Sequence, residues 1–337
     1  MGTLKEIAAK CQVSTATVSK ALNDHKDISE ETKELVRKVA KEMNYFPNAS
    51  ARALKTRRTY NIGVLFTDEA KNGLTHDYFA GVLDSFKRTV EKKGYDITFV
   101  NTNIEGRNGL SLVEHCRYRG FDGVMIACMI FEDKQIQEII ASKIPIVIID
   151  YAAMGRVSII SDNVAGIEDL LTYVYGKGHR KIAYIHGDDS SVSRDRIYSF
   201  KKTAEKLGLK IPNNYMIEAP YRSMSASQEA TAKLLDLKNP PTCIFYPDDY
   251  AAFGGINEIN KRGLSIPEDI SIAGYDGIRI GRHIKPELTT LRQDTEAIGM
   301  RAGEKLISLI ERPKETKIEE VIIKGEVYEG NTVKDIN

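Results

Sequence analysis

Six side chains at or near the ends of strand-like and helical runs in this 337-residue chain have the chemistry of a polyol-binding cleft. Asp150 ends the run PIVIID (145–150), Asp276 ends SIAGYD (271–276), and Arg196 opens a helical stretch after a serine-rich loop. Tyr78, Phe79 and Tyr221 supply ring faces. Carboxylates and a guanidinium match vicinal hydroxyls, and an aromatic face covers C–H patches. Each group also has a structural reading: Arg196 can pair with Asp195 or another loop acid, and Tyr221 can be half core. Asp249 is better placed as the N-cap of the next helix than as a ligand. No HExxH, GxSxG, Walker loop or GxGxxG occurs, and the six histidines show no metal-ligand spacing, so neither catalysis nor a cofactor is expected.

Groups of another kind gather near the N-terminus. Thr3 and Glu6 have the spacing of a capping box, and Leu4, Ile7 and Ala8 share one face, so residues 3–10 read as a short amphipathic helix. Cys11, Gln12 and Val13 make a turn. Ser14 caps a second helix over 15–22, with Val18, Ala21 and Leu22 inward and Thr15, Ala16, Thr17 and Lys20 toward its open side. Two short helices joined by a tight turn are the pattern of a helix-turn-helix. A third helix follows from Ser29, with Leu35, Val36, Val39, Ala40 and Met43 as its apolar stripe. Pro47 ends it, and Asn48 caps a segment of about two turns, marginal without a partner.

VSTATVSKALN (13–23) followed by YFPNASARALK (45–55) resembles the lactose-repressor (LacI/GalR) family of bacterial transcription regulators, in the order and spacing of both motifs. The resemblance implies that the helix over 14–22 enters the major groove and that 48–54 is a hinge helix. It also implies that Leu54 wedges into the minor groove at the centre of a palindromic operator, where an apolar side chain unstacks a base step and kinks the duplex. Thr15, Ala16 and Lys20 match the family's base-reading positions. Lys20 stands where arginine is common, and lysine donates to guanine without the planar fork. Thr17 and Ser19 are phosphate contacts or caps, and Asn23 is a helix stop or a phosphate ligand. Thr3, Ser14, Asn48, Ala51, Arg52 and Lys55 complete the candidate DNA contacts.

From Asn61 the periodicity changes. NIGVLFT, DITFVN, GVMIACMI and PIVIID alternate with helical patterns, and the cycle restarts with VSIIS, KIAYIHG, YMIEA, TCIFY and SIAGYD. Such alternation predicts parallel sheets covered on both faces, here two doubly wound α/β subdomains with a cleft at the carboxyl ends of their strands. LTTLRQD, the helix at 298–310 and the strand KIEEVIIK carry the chain back between them. The expected division is a head at 1–46, a hinge helix and linker at 47–60, an N-terminal subdomain at 61–161 plus 292–316, and a C-terminal subdomain at 162–291 plus 317–337. From Ile62 to about Tyr328 this body resembles that of the same family, which is similar to periplasmic sugar-binding proteins. The resemblance rests on GHRKIAYI, DDYAAFG, IPEDISIAGYD and TTLRQD. It implies that Arg196, Tyr221 and Asp276 contact an effector, with Thr67, Tyr78 and Asp150. Asp248 stands where the family usually has asparagine, and an acceptor-only group favours a donor-rich ligand such as a sugar.

Composition agrees with a soluble regulator. Residues 1–60 carry 12 Lys and Arg against 7 Asp and Glu, and the remainder 36 against 40, so a basic head joins a mildly acidic body. No apolar run is long enough to cross a bilayer, no signal-peptide core opens the chain, and the four cysteines have no CxxC spacing, so a cytoplasmic location is expected. No apolar heptads follow Tyr328, so a homodimer is expected, bound to double-stranded operator DNA and to a small carbohydrate effector. Two alternatives stand beside this: the same architecture controlled by a phosphocarrier protein docked on the helix at 298–310, and a sugar-binding transport component.

Overall fold

In the computed structural model, which describes residues 2–45, 58–67, 73–101 and 109–337, the N-terminal unit lies within residues 1–59 and starts each helix with a hydroxyl cap. At the start of α1 (Leu4–Cys11), Thr3 Oγ1 accepts from the Glu6 amide at 3.3 Å while Glu6 Oε2 accepts from the Thr3 amide at 2.8 Å. Gln12, at a φ of 54°, turns the chain. Ser14 Oγ then accepts from the Thr17 amide at 3.0 Å to open α2 (Thr15–Leu22), and Ser29 opens α3 (Glu30–Glu42) in the same way. Ile7, Ala8, Cys11, Val18, Ala21, Val36 and Val39 fill the core of this helix-turn-helix.

The stripe on α3 differs from expectation at one position. Leu35 is 46% exposed, because it lies about 100° around the helix from Val36. Lys33 takes the inward place instead. It is 4% exposed, its stem packs against the core, and its ammonium reaches Glu30 at 2.6 Å and Asp24 at 3.2 Å. The expected hinge segment, with Asn48, Ala51, Arg52, Leu54 and Lys55, lies outside the described residues.

The second unit, residues 60–337, holds two six-stranded sheets. In chain order the strands are β1 (Asn61–Phe66), β2 (Asp96–Phe99), β3 (Gly123–Ala127), β4 (Ile146–Ile149), β5 (Val157–Ser161), β6 (Ile182–His186), β7 (Met216–Glu218), β8 (Cys243–Phe245), β9 (Ser271–Asp276), β10 (Thr290–Arg292), β11 (Glu320–Ile323) and β12 (Glu326–Tyr328). The first sheet runs β11-β5-β4-β3-β1-β2, all parallel; the second runs β12-β10-β9-β8-β6-β7, with β12 alone antiparallel. Helices α4 (Asp77–Glu91), α5 (Leu112–Tyr118) and α6 (Lys134–Ala141) connect strands of the first sheet. Helices α7 (Asn163–Gly176), α8 (Ser191–Lys206), α9 (Met224–Leu235) and α10 (Asp249–Lys261) belong to the second, and α11 (Thr295–Glu311) returns to the first. In each sheet the order reverses beside the first strand, β1 or β6, which is where open α/β sheets leave a crevice at their carboxyl ends.

One strand departs from the expected division. Residues 317–324, expected in the second subdomain, supply β11, which pairs with β5 in the first sheet. Val321 and Ile323 pack on the first core, Val327 on the second, and a Cβ on Gly325 between them would lie 2.7 Å from the Arg292 carbonyl oxygen. An apolar period identifies a strand but not its neighbour, so the crossing falls one strand later than the pattern alone predicts. The chain therefore passes between the sheets three times, after β5, β10 and β11.

Candidate functional site

Arg196 lies on α8 and is 4% exposed. It does not pair with Asp195 or another loop acid. Nε donates to Asn163 Oδ1 at 2.8 Å, Nη1 donates to the Pro247 carbonyl at 2.9 Å, and the guanidinium stacks 3.5 Å from the centroid of the Tyr275 ring. The loop acid Asp189 pairs with Arg194 instead, at 2.6 Å. Neutral acceptors and an aromatic face hold the cation in place without neutralising it, leaving a buried positive charge at the carboxyl ends of the second sheet.

Asp276 and Asp150 end β9 and follow β4, at φ angles of 107° and 56°. Asp276 Oδ1 accepts from Gln293 Nε2 at 2.7 Å. Burial pushes its carboxyl up to about 7, against the opposing pull of Arg196. Asp150 accepts from the Tyr78 hydroxyl at 2.6 Å and from the Ser161 amide at 3.1 Å. Burial raises its pKa too, while those two donors and Arg196 lower it. Tyr221 exchanges a hydrogen bond with Ser193 Oγ at 2.9 Å, and its guanidinium neighbour Arg196 lies 5.9 Å from the ring centroid. The ring lies on Gly187, where a Cβ would come within 2.1 Å of it. Arg196, Tyr221 and Asp276 are thus brought together, with Asp150 and Tyr78 contributed from the first sheet.

Other expected residues fall differently. Phe79 is 9% exposed and packs edge-on against Phe66 in the first core, so its ring is not an open face. Thr67 is exposed at the end of β1. Asp248, not Asp249, is the N-cap of α10; it is 3% exposed and its two oxygens accept from the amides of Ala251 at 2.8 Å and Arg222 at 2.7 Å. Asp249 is fully buried and fastens the second sheet, accepting from the Ile278 amide at 2.8 Å and Thr290 Oγ1 at 2.7 Å. Asn163, Ser193, Tyr275 and Gln293 are site residues that the sequence reading leaves unassigned. Tyr275 and Gln293 stand inside the quoted runs SIAGYD and TTLRQD, whereas Asn163 carries no local signal.

In the N-terminal unit Thr15, Ala16 and Lys20 are exposed on α2, and Thr17 and Ser19 are half-buried. Thr3 and Ser14 act as caps, and the Asn23 side chain donates from Nδ2 to the Ser19 carbonyl at 2.7 Å, closing the helix. Lys20 forms an exposed ion pair with Asp27. Among the described residues no group of three or more His, Cys, Asp or Glu is arranged to hold a metal, and no helix is long and apolar enough to cross a membrane.

Comparison with known proteins agrees with both halves of this description. Residues 3–48 match the model for bacterial regulatory proteins, lacI family, and residues 171–333 match that for a periplasmic binding protein-like domain. The chain is 30% identical over 337 residues to the probable HTH-type transcriptional repressor ExuR of Bacillus subtilis (strain 168), covering 99% of each chain. Among solved structures it resembles the Lac repressor dimer bound to operator and the anti-inducer ONPF, with a TM-score of 0.84 at 23% identity over 99% of each chain. It also resembles a LacI family regulator from Enterococcus faecium with bound ribose, with a TM-score of 0.70 at 25% identity over 82% of this chain and 100% of that one. Helix-turn-helix head, paired parallel sheets and full-length similarity to a repressor together establish that this chain belongs to the LacI family of bacterial DNA-binding transcription regulators.

Proposed function

We propose that the chain is a cytoplasmic, homodimeric repressor whose affinity for a palindromic operator is set by a small carbohydrate bound between its two sheets. Thr15, Ala16 and Lys20 read bases, Leu54 supplies the minor-groove wedge, and Arg196, Tyr221 and Asp276 hold the effector. The observation that carries the effector reading is the state of Arg196. A buried guanidinium held by neutral acceptors, beside an aromatic ring and a carboxylate whose pKa burial pushes up, suits a ligand of many hydroxyls. The ribose bound to the Enterococcus faecium relative supports the same class.

Binding in such a cleft alters the angle between the halves, and a ligand shifts that angle only as far as it binds one arrangement better than the other. A thermal-shift screen of sugars, sugar acids, sugar phosphates and nucleosides tests the proposal. A binder at a hundred times its dissociation constant stabilises by about 2.7 kcal/mol, a readily seen rise in Tm. A sugar or sugar derivative is expected to give that rise in the parent chain and none in Arg196→Leu. Stabilisation by nucleosides alone would replace the carbohydrate reading with a nucleobase one.

A further inference from the structure

The second α/β half reaches across the cleft to the first through Arg222. Its main chain is fixed from its own side: φ is 56°, its amide donates to Asp248 Oδ2 at 2.7 Å, and its guanidinium lies 4.0 Å from the centroid of the Tyr250 ring on α10. The side chain is 6% exposed, yet its contacts with the first half are long. Nη2 is 3.4 Å from the Thr75 carbonyl oxygen and Nη1 is 3.9 Å from Asp77 Oδ2. Arg222 Nε and Asp77 Oδ2 are both buried without a hydrogen-bond partner.

The Asp77 side chain as a whole is 37% exposed, but its Oδ2 and Arg222 Nε are shielded from water, and a shielded charged donor and acceptor short of partners become more favourable once they meet. A closing movement of about 1 Å would turn the long contact into a charge-assisted hydrogen bond of ordinary length. We propose that Arg222 and Asp77 form a latch between the two halves of the body, poised here at the edge of engagement and drawn tight as the cleft closes. Asp77 is the first residue of α4, beside the Tyr78 that reaches Asp150. Helix α4 in turn packs closely on α11, with Ser85 Oγ donating to the Glu296 carbonyl at 2.6 Å and a Cβ on Gly299 meeting the Val82 carbonyl oxygen at 2.3 Å. Tightening the latch therefore moves α4 and α11 as one block against the second sheet. The latch builds on the cleft being a ligand site, but its test needs no ligand, so its failure leaves the carbohydrate reading untouched.

The test is double electron–electron resonance on the full chain, with nitroxides at Tyr118→Cys on α5 and Tyr198→Cys on α8, which are 80% and 57% exposed. A Cys128→Ser background removes the partly accessible native thiol, and dilution with unlabelled chain isolates one spin pair per assembly. Arg222→Ala and Asp77→Asn are each expected to broaden the distance distribution and move it outward by the same amount, with no further change when combined, and Arg222→Lys to retain part of the narrow form. Tyr250→Leu, which removes both the platform beneath the guanidinium and the phenol that interacts with Asp77 and Arg222, is expected to shift it in the same direction. Circular dichroism melts establish that each variant is folded. An Asp77→Asn distribution identical to the parent's overturns the latch even if Arg222→Ala shifts, because the charge pair then does nothing.

Discussion

Tyr78, on α4, donates its phenolic hydrogen to Asp150, just past β4, across 2.6 Å. The other Asp150 oxygen accepts from the Ser161 amide at the end of β5, so one carboxylate joins a helix to two strand ends at the floor of the cleft. Tyr78→Phe keeps the ring and removes the donor, leaving Asp150 Oδ2 buried and short of a partner. The expected cost is about 1–3 kcal/mol in urea denaturation. A variant as stable as the parent would mean that water replaces the phenol.

Tyr221 depends on the absence of a side chain at Gly187. Gly187→Ala places a methyl where the Tyr221 ring lies, at 2.1 Å, so the ring must leave its position beside Arg196. Ligand affinity by calorimetry, using the binder from the thermal-shift screen, is expected to fall at least about tenfold, with about 1–3 kcal/mol lost in stability. Unchanged affinity would remove Tyr221 from the site.

Asp276 gives the body a pH dependence of definite sign. Its carboxyl titrates at about 7 in the folded chain, raised chiefly by burial. The folded form holds a proton that the unfolded form has released, so this group's stabilising contribution is complete below about pH 4 and is lost as pH rises through about 7. Tm is expected to fall between about pH 4 and about pH 7, and Asp276→Asn to flatten part of that slope. Asp150, Asp248 and Asp249, also raised by burial, retain the rest. An Asp276→Asn profile parallel to the parent's would contradict the assignment.

The DNA-binding account is tested separately from the cleft. On sites selected from a random duplex library, log affinity should fall linearly with log salt, with a slope of about −0.9 per phosphate contacted. Leu54→Ala should weaken operator binding while leaving ligand affinity alone, as the proposed minor-groove wedge requires. Equal affinity of parent and variant would dismiss the wedge.

What the sequence makes legible here is local. The caps Thr3, Ser14 and Ser29 and the change of period at Asn61 are signals within a few residues, and they yield the head and both parallel sheets. Long-range choices leave no such mark. Arg196 finds its acceptor 33 positions away at Asn163, β11 finds β5 across more than half the body, and of two adjacent buried aspartates Asp248 caps α10 because the helix begins one residue later, while Asp249 bonds Ile278 and Thr290 in the second sheet. Lys33 turns inward where Leu35 was the obvious apolar candidate, since the nearby acids Glu30 and Asp24 can hold its ammonium. The site is thus half readable: its charged residues can be named, but what each one holds cannot.

The claim on which the rest turns is that a molecule in the cleft changes the grip of the head on DNA. The direct measurement is operator affinity of the full chain with and without a saturating amount of the thermal-shift binder, beside the same pair of titrations for Arg196→Leu. The account predicts a change of roughly 5- to 150-fold in the parent and none in the variant. A ligand that raises Tm and leaves operator affinity where it was would contradict it.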